Sequence, residues 1–396
     1  MKLLFITSSY PYGQGEGFVD AELQAFLDEG CDVDVLPVYP RGKSNFDNRL
    51  PITLQLKLFK VIYLYDLMAM FLIKPMSLMG LFRLGISNSL AGSFRNFLII
   101  PKVCHLYRKS KNDYDFVYAY WASMPAQFAM FYAYLCRIKW AFCAHRWDIV
   151  EANNFKKKLK RCSFARFISE SGVKLLDQKL LQNVIDKIHI IHVGVSTDNI
   201  NISVNILNIE NKIICIANLL PVKGIEYLIM ALTQVANKSL SLDIVGDGPE
   251  RNSLERLSRE CGLNSRINFL GYIPHDEVLL RLMNYKYLCL VLPSVDLGGG
   301  LHEGIPVVLM EAMARGVPVI STNSGGIPEL IGSESEYGIC VKPASPDSIA
   351  RAIDSLADNS NLRHNIIIKG HDRVRCEFDC FNNSIKILSI IKTHIL

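Results

Sequence analysis

The chain reads as an α/β protein built from two doubly wound domains. Three observations predict this. Short apolar segments alternate with helical stretches along the whole sequence, the pattern of parallel strands covered on both faces by helices. The alternation runs twice, in series separated by the Asn- and Ile-rich stretch 196–211, which has little periodicity. At 396 residues, two domains are the default.

In the first series, Leu3–Thr7 is a short buried strand, and Asp20–Glu29 is a helix closed by Gly30. Val33–Val38, Phe116–Tyr120, Ala141–Ala144, Phe167–Ser169 and Ile188–His192 are further strands. His189 and His192, three apart in such a strand, face opposite sides and are structural. The second series has strands at Ile213–Ala217, Leu240–Val245, Ile267–Leu270, Tyr287–Leu292 and Val317–Ser321. The expected division is 1–196 for the first domain, 197–211 for a linker, 212–379 for the second domain, and 380–396 for a last helix that can cross back to the first.

Half of the residues are hydrophobic and the net charge is +5, too modest by itself to demand a nucleic acid. The 11 cysteines contain no Cys-x-x-Cys pair, which argues against zinc. With no signal-peptide pattern at the start, reduced buried thiols in a cytoplasmic protein are expected. The charge is uneven. Between Leu54 and Lys109 there are eight Lys or Arg and one acid, Asp66. Lys57, Lys60, Asp66 and Lys74 interrupt the stretch too often for a spanning helix of roughly 20 apolar residues. It reads either as interfacial helices on an anionic membrane surface or as core helices with basic outer faces. A second basic run, Lys156–Arg161, fits either reading.

Residues 302–318 carry the strongest chemical signal. Pro306 tolerates the start of a helix and not its interior, and Gly316 suits a C-terminal cap. A helix is therefore expected from Pro306 to just before Gly316. Glu303 falls in the loop before it and Glu311 about one and a half turns inside. Phosphates near the helix N-terminus would meet N–H groups and the positive end of the dipole. The two carboxylates are then natural partners for a sugar hydroxyl and a ribose hydroxyl. Lys223-Gly224 follows a strand through a short loop, either as a phosphate contact or as a solvated lysine. Gly246-Asp247-Gly248-Pro249-Glu250 permits a sharp turn at a strand end. Gly298-Gly299-Gly300 lies in the loop that leads to Glu303. His145 follows the strand Ala141–Ala144, and Asp148 can cap the helix after it.

This set of segments resembles the retaining nucleotide-sugar glycosyltransferases of family 4. It carries Glu303-Gly304-Ile305-Pro306, Glu311-Ala312-Met313-Ala314, Gly316-Val317-Pro318-Val319 and Ser324-Gly325-Gly326-Ile327-Pro328-Glu329. The resemblance covers nearly the whole chain and is strongest in the C-terminal half. It implies the GT-B fold, two Rossmann-like domains facing across a cleft. It implies Glu303, His145 and Lys223 as catalytic residues. Glu311, Gly304, Ile305, Pro306, Asn218, Gly246, Tyr272, Ile273, Gly15 and Gly17 are implied on the donor side. Asn218 stands where the family has the Arg of its diphosphate clamp, which removes one charge. Val193 stands where the family has Asn, so no polar contact carries over.

The function so implied is transfer of a sugar from a nucleotide diphosphate sugar to a glycan, lipid-linked at the inner face of the plasma membrane. The setting would be assembly of a bacterial surface polysaccharide such as lipopolysaccharide, capsule or exopolysaccharide. Neither a cofactor nor a metal is expected, and retention would follow from front-side attack. Two alternatives remain: a nucleotide-sugar epimerase of the same fold, and a non-catalytic membrane adaptor that needs the basic stretch but not Glu303.

Overall fold

The computed structural model describes residues 1–12, 19–41, 60–110, 113–151, 153–198, 200, 202, 209–284, 287–298 and 302–395. The chain forms two compact units. Met1–His192 and Cys380–Leu396 make the first, and Val193–Asp379 makes the second.

The first unit holds six strands: β1 (Lys2–Thr7), β2 (Asp32–Pro37), β3 (Phe116–Ala119), β4 (Lys139–Ala144), β5 (Phe164–Phe167) and β6 (Ile188–Ile190). They pair in the order β2-β1-β3-β4-β5-β6, all parallel. Side chains of a strand alternate between faces, and here each face has its own core. Leu4, Ile6, Val117, Phe142 and Phe167 join one cluster. Leu3, Phe5, Phe116, Tyr118 and Phe164 join the other. Ile387, Leu388 and Ile391 of the last helix, Cys380–Ile395, complete that second cluster.

The second unit holds β7 (Lys212–Ile216), β8 (Ser241–Val245), β9 (Ile267–Gly271), β10 (Cys289–Leu292), β11 (Val319–Thr322) and β12 (Ile339–Val341). They pair in the order β12-β11-β10-β7-β8-β9, again all parallel. Counted within the unit this is the dinucleotide-fold order, which reverses direction between its first and fourth strands. Those strands are β7 and β10. Ligands of such sheets bind beyond the strand ends at that reversal.

Several elements differ from the sequence expectation. The strand expected at Phe167–Ser169 lies at Phe164–Phe167. Arg166 interrupts the apolar run there, but its charge is buried against Glu22 and the strand continues through it. The edge strand β12 has three residues, too few to stand out by pattern. The helix expected from Pro306 runs Val307–Ala314. Pro306 has ψ 123° and is the residue capping it, since an extended ψ cannot begin the helical turn. At the other end Gly316 has φ +74°. Its N–H donates to Met313 O and the Val317 N–H donates to Ala312 O, the paired bonds of a Schellman cap.

Candidate active site

In the second unit the loops that leave β7, β8, β10 and β11 are bound to one another at close range. The backbone of Val295 donates to Val222 O at 2.9 Å. Gly224 has φ +61°, and a Cβ there would lie 2.3 Å from Pro293 O. The β7 and β10 loops thus meet where the sheet reverses direction. On the β8 side, Gly246 has φ +126°, and its missing Cβ leaves room for Ala217 O. Leu219 donates to Asp247 O, and Gly246 donates to Gly271 O at 2.8 Å. A register shift between Ile244 and Val245 carries this bulge into Gly271, whose φ is +71°.

Lys223 Nζ forms an ion pair with Glu303 Oε1. Lys223 comes from the β7 loop and Glu303 from the β10 loop, so the pair bridges the reversal point itself. The two side chains are 17% and 15% exposed, enough shielding to strengthen the attraction and enough access for a ligand. Glu303 is followed by Gly304, Ile305 and Pro306, which lead into the N-terminus of Val307–Ala314. Ile305 packs on the core. A Cβ on Gly304 would meet nothing within 4 Å, so the backbone there is open to close approach.

The β11 loop supports this segment from below. Gly326 donates to Gly304 O at 3.1 Å. Gly325 has φ +58°, and a Cβ there would sit 1.9 Å from Glu303 O. Gly325→Ala is expected to push the Glu303 backbone aside. The strained backbone and close contact should cost about 1–3 kcal/mol. Chemical denaturation would show the lost stability, and donor-turnover assays the misplaced carboxylate.

Glu311 is buried, and its Oε1 accepts from His275 Nε2 at 2.6 Å. This bond, first among the causes, raises the His275 pKa above its usual value. The two acids of the sequence pattern therefore have separate partners, Lys223 for Glu303 and His275 for Glu311. His275 was not among the expected residues. It opens the helix His275–Asn284 four residues past the strand-end glycine Gly271, a placement that marks it in hindsight. Tyr272 is exposed and Ile273 packs on the core. Asn218 is exposed in the β7 loop. Gly15, Gly17, Gly299 and Gly300 lie outside the described residues.

In the first unit His145 lies just past β4 and is buried. Its ring lies 4.1 Å from that of Trp121 and 5.4 Å from that of Tyr120, centre to centre. Asp148 accepts from the N–H of His145 at 3.2 Å and of Ala122 at 3.0 Å. It thus caps the helix Arg146–Glu151 from within and ties the β3 loop to the β4 end. Lys158 Nζ donates to Ala122 O and Ser123 O, both at 2.7 Å, from the other side.

Burial, with the positive charge of Arg166 adding to it, lowers the His145 pKa to about 3, while a backbone hydrogen bond with Tyr120 works against this. The imidazole is neutral at neutral pH and acts as a hydrogen-bonding group. A depressed pKa means that the unfolded chain takes up this proton first as pH falls below about 6.5. Stability is then lost between there and the folded value, at about 1.4 kcal/mol per pH unit. His145→Gln should flatten that acid slope in denaturation measured across the same range.

The expectation of no metal passed over two Asp-x-Asp spacings, Asp32-Val33-Asp34 and Asp113-Tyr114-Asp115. Both lie at the N-terminal ends of β2 and β3, away from the loop after β4 that carries His145. Lys2 Nζ lies 3.8 Å from Asp32 and 3.6 Å from Asp34. The Tyr114 hydroxyl donates to Asp34 and the Lys2 N–H to Asp115. Among the described residues no group of three His, Cys, Asp or Glu is placed to hold a metal ion.

The fold is that of the GT-B glycosyltransferases. Anabaena HepE, solved in complex with UDP, superposes with a TM-score of 0.71 over 99% of this chain and 100% of that one, at 17% identity. Residues 196–373, nearly all of the second unit, match the family model described as Glycosyl transferases group 1. The chain is 34% identical over 147 residues to a GDP-mannose-dependent alpha-(1-6)-phosphatidylinositol monomannoside mannosyltransferase of Mycobacterium tuberculosis. That match takes in 36% of this chain and 37% of that protein. It is 32% identical over 189 residues to the putative colanic acid biosynthesis glycosyltransferase WcaL of Salmonella typhimurium, covering 46% of this chain and 45% of that one. The chain thus spans less than half the length of the curated relatives it matches.

Proposed function

We propose that the protein is a retaining, metal-independent glycosyltransferase. It moves a sugar from a nucleotide diphosphate sugar to a lipid-linked glycan during assembly of a bacterial surface polysaccharide. The observation that carries this is the Lys223–Glu303 ion pair across the reversal point of the second sheet. An ion pair there is a resting state. A diphosphate competes with Glu303 for Lys223 and releases the carboxylate toward the sugar. Lys223 and the N-terminus of Val307–Ala314 then stabilise the charge that grows on the leaving diphosphate, with no divalent cation in that role.

Glu311 holds the ribose hydroxyls, sharing its carboxylate with His275. Gly246, Tyr272 and Ile273 line the nucleotide side, and Asn218 takes part without the charge that an Arg would bring. His145, neutral, donates to a sugar hydroxyl. Gly15 and Gly17 admit the donor and acceptor closely. Front-side attack by the acceptor hydroxyl on the anomeric carbon, as the bond to the diphosphate oxygen breaks and that oxygen takes up the hydroxyl proton, retains configuration. The protein works in the cytoplasm, peripheral on the inner face of the plasma membrane.

The relatives support this reading by the chemistry in their names, a mannolipid in one and colanic acid in the other. Incubating the purified protein with a panel of nucleotide sugars and measuring released nucleotide diphosphate tests it and identifies the donor. No release from any donor, with or without a polyprenyl-linked acceptor, would remove the proposal and leave the adaptor reading.

A further inference from the structure

The helices Val61–Ile73, Pro75–Gly85 and Leu90–Leu98 carry their polarity inside out. On the first, the one carboxylate, Asp66, faces inward and is paired with His105 and Arg108. Tyr63 and Met70 are buried beside it. The outward face is Leu64, Met68, Phe71 and Leu72, each more than half exposed. Met76 continues it on the second helix, and Leu90 and Phe94 on the third. Solvent-facing helices place such residues inward, and a monomer in water rarely exposes so much apolar surface in one region.

The surrounding charge is mainly positive. Asp66 is the only acid between Lys60 and Ser110, so these helices present no exposed carboxylate. Lys60, Arg83 and Lys109 are exposed, and Arg95 is exposed beside Glu151 at 3.0 Å. The basic helix Phe155–Arg161 is joined to the second of these helices by Lys157, which donates to Ile86 O at 2.5 Å. Its Lys160 and Arg161 are exposed.

Neither of the first two helices is long enough to span a bilayer by itself. Thirteen and eleven residues reach about 20 and 16 Å, short of the roughly 30 Å of hydrocarbon. The two helices meet at a bend of 117°. Among the described residues no single helix is long and apolar enough to cross a membrane.

We infer that this three-helix surface lies in the interface of an anionic bilayer, with Leu64, Met68, Phe71 and Leu72 among the acyl chains and the flanking cations on lipid headgroups. Apolar burial and electrostatic attraction add in such binding. The inference deepens the lipid-linked acceptor reading and rests on it for its purpose. A second copy of the chain is the competing occupant, but copies bearing like-signed rims repel, whereas anionic lipid attracts them.

The test is flotation of the full chain with phosphatidylcholine vesicles, with and without phosphatidylglycerol. The wild type should float with the anionic vesicles and lose binding in high salt. Met68→Glu with Leu72→Glu should lower the partition coefficient roughly tenfold or more. Lys160→Glu with Arg161→Glu should weaken binding to anionic vesicles alone. Neither pair should change nucleotide diphosphate release from the donor in solution. A wild type that floats with neither vesicle, or a Met68→Glu, Leu72→Glu variant that floats as well as wild type, overturns the inference. So does a wild-type dimer in sedimentation that the same substitutions dissolve without any vesicle binding. Flotation without turnover of any donor would instead sink the catalytic reading and leave this surface standing.

Discussion

Replacing Glu303 by glutamine is expected to lower kcat by about 10²–10³ while the protein stays folded. Glutamine keeps the shape of the side chain and removes its charge. Glu303 sits in a loop on the second sheet with its carboxylate against Lys223. The substitution therefore frees Lys223 for the diphosphate, and donor KM should stay unchanged or fall. A lower kcat with no rise in KM is the mark of an interaction made in the transition state. Lys223→Ala should behave differently. It removes the partner of the leaving group and leaves Glu303 to repel it, so both parameters suffer. Steady-state release of nucleotide diphosphate separates the two. Unchanged turnover in the Glu303→Gln variant would show that the pair is only a structural tie, and unchanged polysaccharide assembly with Glu303→Ala would favour the adaptor.

Arg166→Met is expected to cost about 3–5 kcal/mol of folding stability. Arg166 is almost fully buried. It donates to Glu22 at 2.5 Å, to Ile191 O at 2.8 Å and to His192 O at 2.8 Å. Methionine fills much of the volume but leaves the Glu22 carboxylate buried and alone. Burial already raises the Glu22 pKa, with Arg166 opposing that rise. Without Arg166 the rise is larger. A raised pKa contributes stability below the unfolded value and loses it as pH climbs through the folded one. The deficit of the variant should therefore be greatest at neutral pH and shrink toward pH 4. Urea denaturation at several pH values checks it. Adding Glu22→Leu should restore part of the loss, because the uncompensated charge goes with it. An equal deficit at every pH would mean that Arg166 acts through packing alone.

The two substitutions bear on different units of the chain. Glu303 reports on the chemistry of the second unit. Arg166 reports on the first, where it joins β5, the helix Val19–Asp28 and the segment just past β6. A protein can therefore lose one property while it keeps the other.

Much of this molecule was legible from the residues alone. Parallel strands buried on both faces must be apolar throughout, so ten of them stood out as short apolar runs. Glycine at a positive φ and proline before a helix leave local marks, which located the turn at Gly246 and the cap at Pro306 nearly to the residue. Where the reading slipped, a long-range contact was responsible. Arg166 hid a strand because its charge is neutralised by Glu22, 144 residues away. The edge strand β12 borrows its order from β11 and has no pattern of its own.

That the chain alternates strand and helix twice, and which loops carry acids, glycines and cations, follow from the order of residues alone. Both are local properties, written in periodicity and in backbone preference. Which of those groups meet is set by the folded chain. It paired Glu303 with Lys223 and Glu311 with His275, and it turned the apolar face of Val61–Ile73 outward while sealing Asp66 within. Such choices depend on strand order and on charges brought together from distant parts of the chain, and no periodicity within a short window encodes them.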